Sequence, residues 1–198
     1  MLWWVGTSSR GKPVTDAELA KRLQGMNLYL IGMMGAGKST VGQLLAQRLE
    51  YRFFDTDILI ERVQQQSVAE IFQQAGEAYF RALETQVLAQ LSAYTRSVIA
   101  TGGGIILAQH NWSYLQEGLV IWLDVPVAEL AQRLEADTTR PLLTNGTDPV
   151  AKLQSLFEAR SHRYAQADLH ITITPPATPA TIATQVLTQI PTVLKPIG

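Results

Sequence analysis

The sequence predicts a three-layer α/β/α fold around a central parallel sheet of five strands. Short apolar runs alternate with helix-period segments along the chain, as repeated β-α units require. The run Leu28-Tyr29-Leu30-Ile31 leads directly into Gly32-Met33-Met34-Gly35-Ala36-Gly37-Lys38-Ser39-Thr40, a G-x-x-x-x-G-K-[ST] loop, and a helical pattern follows at once. Three other clusters, Asp55-x-Asp57, Gly102-Gly103-Gly104 and Asp124, also fall just past apolar runs. In an open parallel sheet those carboxyl ends form the ligand crevice.

Each element has its own signal. Thr15-x-x-Glu18 is a capping box opening a short helix over 16–24, with Leu19, Ala20 and Leu23 on one face and Gly25 at the end. Residues 1–26 read as an N-terminal extension whose helix docks on the core, 27–190 as one domain and 191–198 as a tail. After the strand at 28–31 and the loop, Val41, Leu44, Leu45 and Leu49 mark a helix. Tyr51 to Phe54 reads as the second strand. Helical patterns fill 58–93, with Ser67-x-x-Glu70 capping one piece and Gly76 interrupting it. Ser97–Ala100 and Leu119–Leu123 are the third and fourth strands, and Asp124-Val125-Pro126 leads into a helix over 127–136. Residues 137–148 are polar and turn-rich and read as a short, mobile lid loop before a helix over about 149–165. A strand at 169–173 and a helix at 179–189 complete the alternation.

Composition narrows the function. The 198 residues are 46% hydrophobic and 17% charged, enough for one globular core. A net charge of −1 provides no field to gather nucleic acid or an anionic membrane, so a small-molecule partner is expected. With no cysteines there are no disulfides or thiolate nucleophiles, in keeping with a reducing cytoplasm. His110, His162 and His170 match no metal-ligand spacing, so any metal should be oxygen-bound. No apolar run approaches the ~20 residues that span a bilayer. Met1 to Gly11 lacks the charged start and long apolar core of a signal peptide, although Trp3-Trp4-Val5 is unusually apolar for a tail.

The phosphate loop states its chemistry most directly. Its glycines let successive backbone N–H groups point at one anion, Lys38 reaches the β/γ-phosphates, and the Ser39 hydroxyl can ligate Mg²⁺. Asp55 and Asp57 lie two apart; in a still-extended segment both carboxylates point the same way, one toward a metal and one toward an acceptor hydroxyl. The plainer alternative is that they cap the next helix, and one of them is expected to do so. Asp124 could be the acidic metal partner, but Pro126 and the helix from Val127 favour a cap. Three consecutive glycines at 102–104 offer exposed N–H groups and close approach to a ligand. Arg81, after Phe80, and Arg160, in Glu158-Ala159-Arg160, are each compatible with an ordinary solvated charge.

Taken together, Gly32–Thr40, Asp55-Thr56-Asp57, Phe80-Arg81, Gly102–Gly104, Arg140-Pro141-Leu142-Leu143 and Arg160 occur in an order and spacing that resemble the shikimate kinase family, over about 27–190. The resemblance implies a P-loop NTPase fold like that of nucleoside monophosphate kinases, a monomer, and ATP-dependent phosphorylation of the 3-hydroxyl of shikimate on the chorismate route to aromatic amino acids. It implies that Gly35, Ala36, Gly37, Lys38, Ser39 and Thr40 bind ATP, with Arg133 packing on adenine. Ser39 and Asp55 would lie on the Mg²⁺ side. Asp57 would hold the acceptor hydroxyl as base, Arg81 and Arg160 the carboxylate, and Gly102, Gly103 and Gly104 would line the same pocket. Lys38 and Arg140 would neutralise the transferring phosphoryl group, Arg140 arriving as the lid closes.

The sequence departs from the family pattern at one place. Where many members read R-x-P-x-Y, this chain has Arg160-Ser161-His162-Arg163-Tyr164, placing His for Pro and adding a second arginine. Arg163 competes for the carboxylate role, and the spacing to Tyr164 favours Arg160. Two rival readings are a gluconate kinase, which would also need a phosphate loop, Mg²⁺ and arginines, and a kinase-like protein that binds nucleotide without turnover.

Overall fold

Strand order decides where the chemistry can gather. In the computed structural model, which describes residues 14–135 and 148–194, the strands are β1 (Leu28–Ile31), β2 (Arg52–Asp55), β3 (Ser97–Ala100), β4 (Leu119–Asp124) and β5 (Leu169–Thr172). They pair in the order β2-β3-β1-β4-β5, every pair parallel. Every residue of β1 is buried, as is every residue of β3, as expected of central strands covered on both faces. The chain steps to one side of β1 for β2 and β3 and to the other for β4 and β5. The carboxyl end of β1 is therefore the switch point where an open α/β sheet binds ligands.

The helices are α1 (Asp16–Arg22), α2 (Lys38–Leu49), α3 (Thr56–Gln64), α4 (Val68–Ser92), α5 (Asn111–Leu115), α6 (Val127–Glu135), α7 (Pro149–Tyr164) and α8 (Pro179–Val193). Both expected capping boxes form, at Thr15 with Glu18 and at Ser67 with Glu70. Gly76, at φ +82°, breaks α4 as its position suggests. The helix α1 is packed down: Leu19 and Leu23 are buried and Asp16 pairs with Arg48 of α2 at 2.7 Å.

The structure differs from the sequence reading in several places. A 3₁₀ turn at Ile105–Leu107 and the five-residue α5 follow the glycine run, where no element is predicted. Their apolar spacing is too short to show a period. Side-chain bonds hold them instead, from Asn111 Nδ2 to the Ile105 carbonyl at 2.8 Å and from Trp112 Nε1 to the Ile106 carbonyl at 3.1 Å. The helix expected over 179–189 runs on to Val193 through Pro191. Asp124 is not the cap of α6: the Pro126 carbonyl accepts from Leu130, and the Asp124 carboxylate instead meets His170 Nε2 at 2.8 Å. The lid read at 137–148 lies, apart from Asp148, outside the described residues, and Asp148 caps α7.

One large core fills both sides of the sheet. A second, smaller cluster of Ile60, Ile71, Phe80 and Leu83 lies between α3 and α4. It gives these two helices their own apolar support beside the crevice.

Candidate active site

The loop between β1 and α2 is shaped by two left-handed glycines, Gly35 at φ +78° and Gly37 at φ +85°, a conformation that side-chain-bearing residues rarely adopt. Lys38 is buried, and its Nζ donates to the carbonyls of Gly32 at 3.0 Å and Met33 at 2.9 Å, so the ammonium spans its own loop. Ser39 Oγ donates to Asp55 Oδ2 at 2.5 Å. The other Asp55 oxygen accepts from the N–H groups of Asp57 and Ile58 at 3.0 and 3.3 Å, capping α3. One carboxylate thus supplies both the cap and the partner for the loop hydroxyl. Arg133 of α6 donates from Nη1 to the Gly35 carbonyl at 3.3 Å and from Nε to Glu129 at 2.9 Å, lying alongside the loop.

A cleft over this loop is lined by Gly35, Gly37, Lys38, Ser39, Thr40, Asp55, Asp57, Thr101 and Gly103. Next to it a cavity of about 160 Å³ is lined by Asp57, Arg81, Glu84, Gly102, Gly103, Gly104 and Arg160, with Met34, Val68, Phe72 and Phe80 as apolar wall. Asp57 and Gly103 belong to both. The two aspartates converge for a different reason from the expected one. Asp57 is not in an extended segment but in the first turn of α3, which begins at Thr56 straight after β2.

The cavity wall is ionic. Arg81 of α4 donates from Nη2 to Glu77 at 2.8 Å and from Nη1 to Glu84 at 2.5 Å. Glu84 is only 1% exposed. Burial pushes its carboxyl up to about 7 even though Arg81 pulls it down, and nearby Asp57 adds to the rise. Arg160 of α7 also lines the cavity, its Nη1 lying 3.5 Å from the Gly103 carbonyl.

The glycine run is explained only in part by exposed N–H groups. The Gly102 N–H is spent on Thr56 Oγ1 at 2.9 Å. A Cβ at residue 102 would strike Glu84 Oε1 and lie 2.7 Å from Asp57 Oδ1, and one at residue 104 would strike the Arg81 guanidinium. Close approach here is made by the protein's own charged side chains.

These features match a known group of proteins. A family model described as shikimate kinase matches residues 34–191. The chain is 60% identical over 176 residues to the shikimate kinase of Rippkaea orientalis, an alignment covering 89% of this chain and 94% of that protein. The chain belongs to the shikimate kinase family. The solved structure of shikimate kinase from Acinetobacter baumannii in complex with shikimate is 38% identical, with a TM-score of 0.80 over 88% of this chain and 97% of that one. A gluconokinase from Sinorhizobium meliloti, covering 86% and 94% of the two chains, is 15% identical with a TM-score of 0.51, a likeness of fold alone. The protein is therefore an ATP-using kinase that phosphorylates shikimate, and the gluconate and non-catalytic readings are not favoured.

Set against this family, the structure brings Lys38, Ser39, Asp55, Asp57, Arg81, Gly102, Gly103, Gly104 and Arg160 around two adjoining spaces. Arg163 turns elsewhere, donating to the Leu107 carbonyl at 3.3 Å. Arg140 lies outside the described residues. Sequence reasoning missed Glu84 as a site residue. Its signal was present: the apolar stripe Phe80, Leu83, Val87, Leu88, Leu91 of α4 puts position 84 on the buried face, one turn past Arg81. Thr56 was also passed over between its two acidic neighbours.

Proposed function

We propose that this shikimate kinase performs transfer with a specific division of labour between the two spaces. ATP phosphates lie on the loop Gly35–Thr40, with Lys38 against the β/γ-phosphates, Arg133 beside the nucleotide, and Arg140 completing the charge on the transferring group. Shikimate occupies the adjoining cavity, its carboxylate between Arg81 and Arg160. Its 3-hydroxyl faces Asp57, which accepts the proton as the oxygen attacks phosphorus. The observation that carries this reading is the sharing of Asp57 and Gly103 by both spaces, which supports a hydroxyl in one lying beside a phosphoryl group in the other.

Among the described residues no group of three or more His, Asp or Glu is placed to hold a metal. The oxygens present at the loop, Ser39 Oγ and Asp55 Oδ2, suit Mg²⁺ held mostly by phosphate and water. When bound, Mg²⁺ would offset phosphate charge during transfer. The two adjoining spaces are closed by the phosphate loop, α3, α4, the glycine run and α7 without calling for a residue of a second copy, and a monomer is the form we propose. Dependence on ATP supports work in the cytoplasm, and no described helix is long and apolar enough to cross a membrane.

The test is ADP release with shikimate, gluconate, nucleoside monophosphates or no acceptor, with and without Mg²⁺. Turnover should require shikimate and Mg²⁺ and fall about 10²-fold or more in Asp57→Asn. Arg81→Ala should mainly raise the shikimate KM; a KM within a few fold of wild type would remove Arg81 from the carboxylate role.

A further inference from the structure

The Gly103 carbonyl, which lies between the phosphate loop and the acceptor cavity, is approached by two donors from one face of α7. Tyr164 Oη donates to it at 2.8 Å, while Arg160 Nη1, one helical turn earlier, lies at the outer limit of 3.5 Å. Tyr164 is fully buried, its ring stacks on Trp122 at 5.7 Å, and its hydroxyl also lies 3.7 Å from Met33 Sδ of the loop. The ring cannot move without opening the core. Burial pushes the phenol up to about 12, although Arg160 pulls it down, so the hydroxyl keeps its proton to donate.

We propose that Tyr164 is a positioning residue for acceptor binding: by satisfying the Gly103 carbonyl, its hydroxyl keeps the Arg160 guanidinium turned to the substrate carboxylate. A partly buried carbonyl draws whatever donor is in reach, because leaving it unbonded is costly. With Tyr164 in place the strong short bond is made by a neutral phenol. Among the described residues the other side chain that donates to that oxygen is Arg160, and without the hydroxyl it would shorten its contact and withdraw charge from the anion. Arg163, the next residue of α7 on this side, is engaged with the Leu107 carbonyl and does not substitute.

This inference rests on the reading of Arg160 as a carboxylate ligand, and a double-mutant cycle separates the two. Steady-state constants are measured for wild type, Tyr164→Phe, Arg160→Ala and the double variant, with thermal melting to confirm folding. Phe keeps the stacked ring. Tyr164→Phe should raise the shikimate KM roughly tenfold, leaving kcat and the ATP KM within about twofold, and should add less than about twofold in the Arg160→Ala background. An equal KM rise in both backgrounds, no rise in either, or a parallel loss in kcat and both KM values would overturn it. If Tyr164→Phe melts too low for kinetics, wild type and Tyr164→Phe are compared by calorimetric shikimate binding at low temperature. There, a loss confined to shikimate over its carboxamide sustains the proposal and an equal loss for both refutes it. An Arg160→Ala KM close to wild type would locate the failure in the carboxylate reading and carry the inference with it.

Discussion

Glu84→Gln isolates the most unusual group in the site. A carboxyl raised from its ordinary 4.5 to about 7 keeps a proton in the folded chain that the unfolded chain has already released. Below the lower value both states are protonated and the group costs nothing. As pH rises through the window the folded state loses ground, and above the upper value the full cost is present, about 3 kcal/mol at ~1.4 kcal/mol per decade. Gln keeps the shape and removes the titration. Losing the ion pair to Arg81 shifts the variant's stability by an amount common to all pH values above the window, so the informative quantity is the change with pH. Urea unfolding of both proteins at pH 4.5 and pH 8.5 should show wild type losing about 3 kcal/mol more than the variant across that interval. Activity should follow the same group: the shikimate KM of wild type should rise several-fold through neutral pH, as the ionised Glu84 draws on Arg81 and repels an incoming carboxylate, and stay flat in Glu84→Gln. Parallel stability profiles for the two proteins would refute the assignment of a raised carboxyl at this position.

Lys38→Ala should lower kcat by about 10²-fold or more in an ADP-release assay while the fold survives, because the ammonium acts on charge in the transferring group. Gly104→Ala places a Cβ on the Arg81 guanidinium; since that is the end of a flexible side chain, the melting temperature should hardly move while the shikimate KM rises roughly tenfold, and an unchanged KM would show that Arg81 need not occupy the position seen here.

What could be seen in the sequence follows the range of the interaction responsible. The phosphate loop and the helix after it are local: glycine conformation, one lysine and one hydroxyl within nine residues state both structure and chemistry. The capping boxes at Thr15 and Ser67 are local as well, and both form. Asp55 shows where local reasoning thins out. Its cap bonds to Asp57 and Ile58 are readable from spacing, but its bond to Ser39 spans 16 residues and two elements. The stripe of α4 places Glu84 on the buried face, but the role of a glutamate there depends on Arg81, Asp57 and Gly102 around it, which the sequence does not bring together. Asp124 was misassigned for the same reason, since its partner His170 is on the neighbouring strand. Family resemblance supplied the acceptor's identity, which no spacing rule contains.

The glycine run shows how packing and passage can be told apart at adjacent positions. Residues 102 and 104 are glycine because the protein itself fills the space: Glu84 and Asp57 crowd one, and Arg81 the other. At residue 103 the atoms nearest to a Cβ would be the Gly32 carbonyl oxygen and the Met34 nitrogen at 3.5 Å and the Met33 carbonyl carbon at 3.9 Å, ordinary contact distances that a side chain could tolerate. Internal packing therefore does not demand glycine there. Yet residue 103 and Asp57 are shared between the cleft over the phosphate loop and the adjoining cavity, a consequence of β3 lying between β1 and β2. Under the proposed division of labour Gly103 lies on the route by which hydroxyl and phosphoryl group would meet, and its carbonyl, which accepts from Tyr164 at 2.8 Å and lies 3.5 Å from Arg160 Nη1, ties that route to α7.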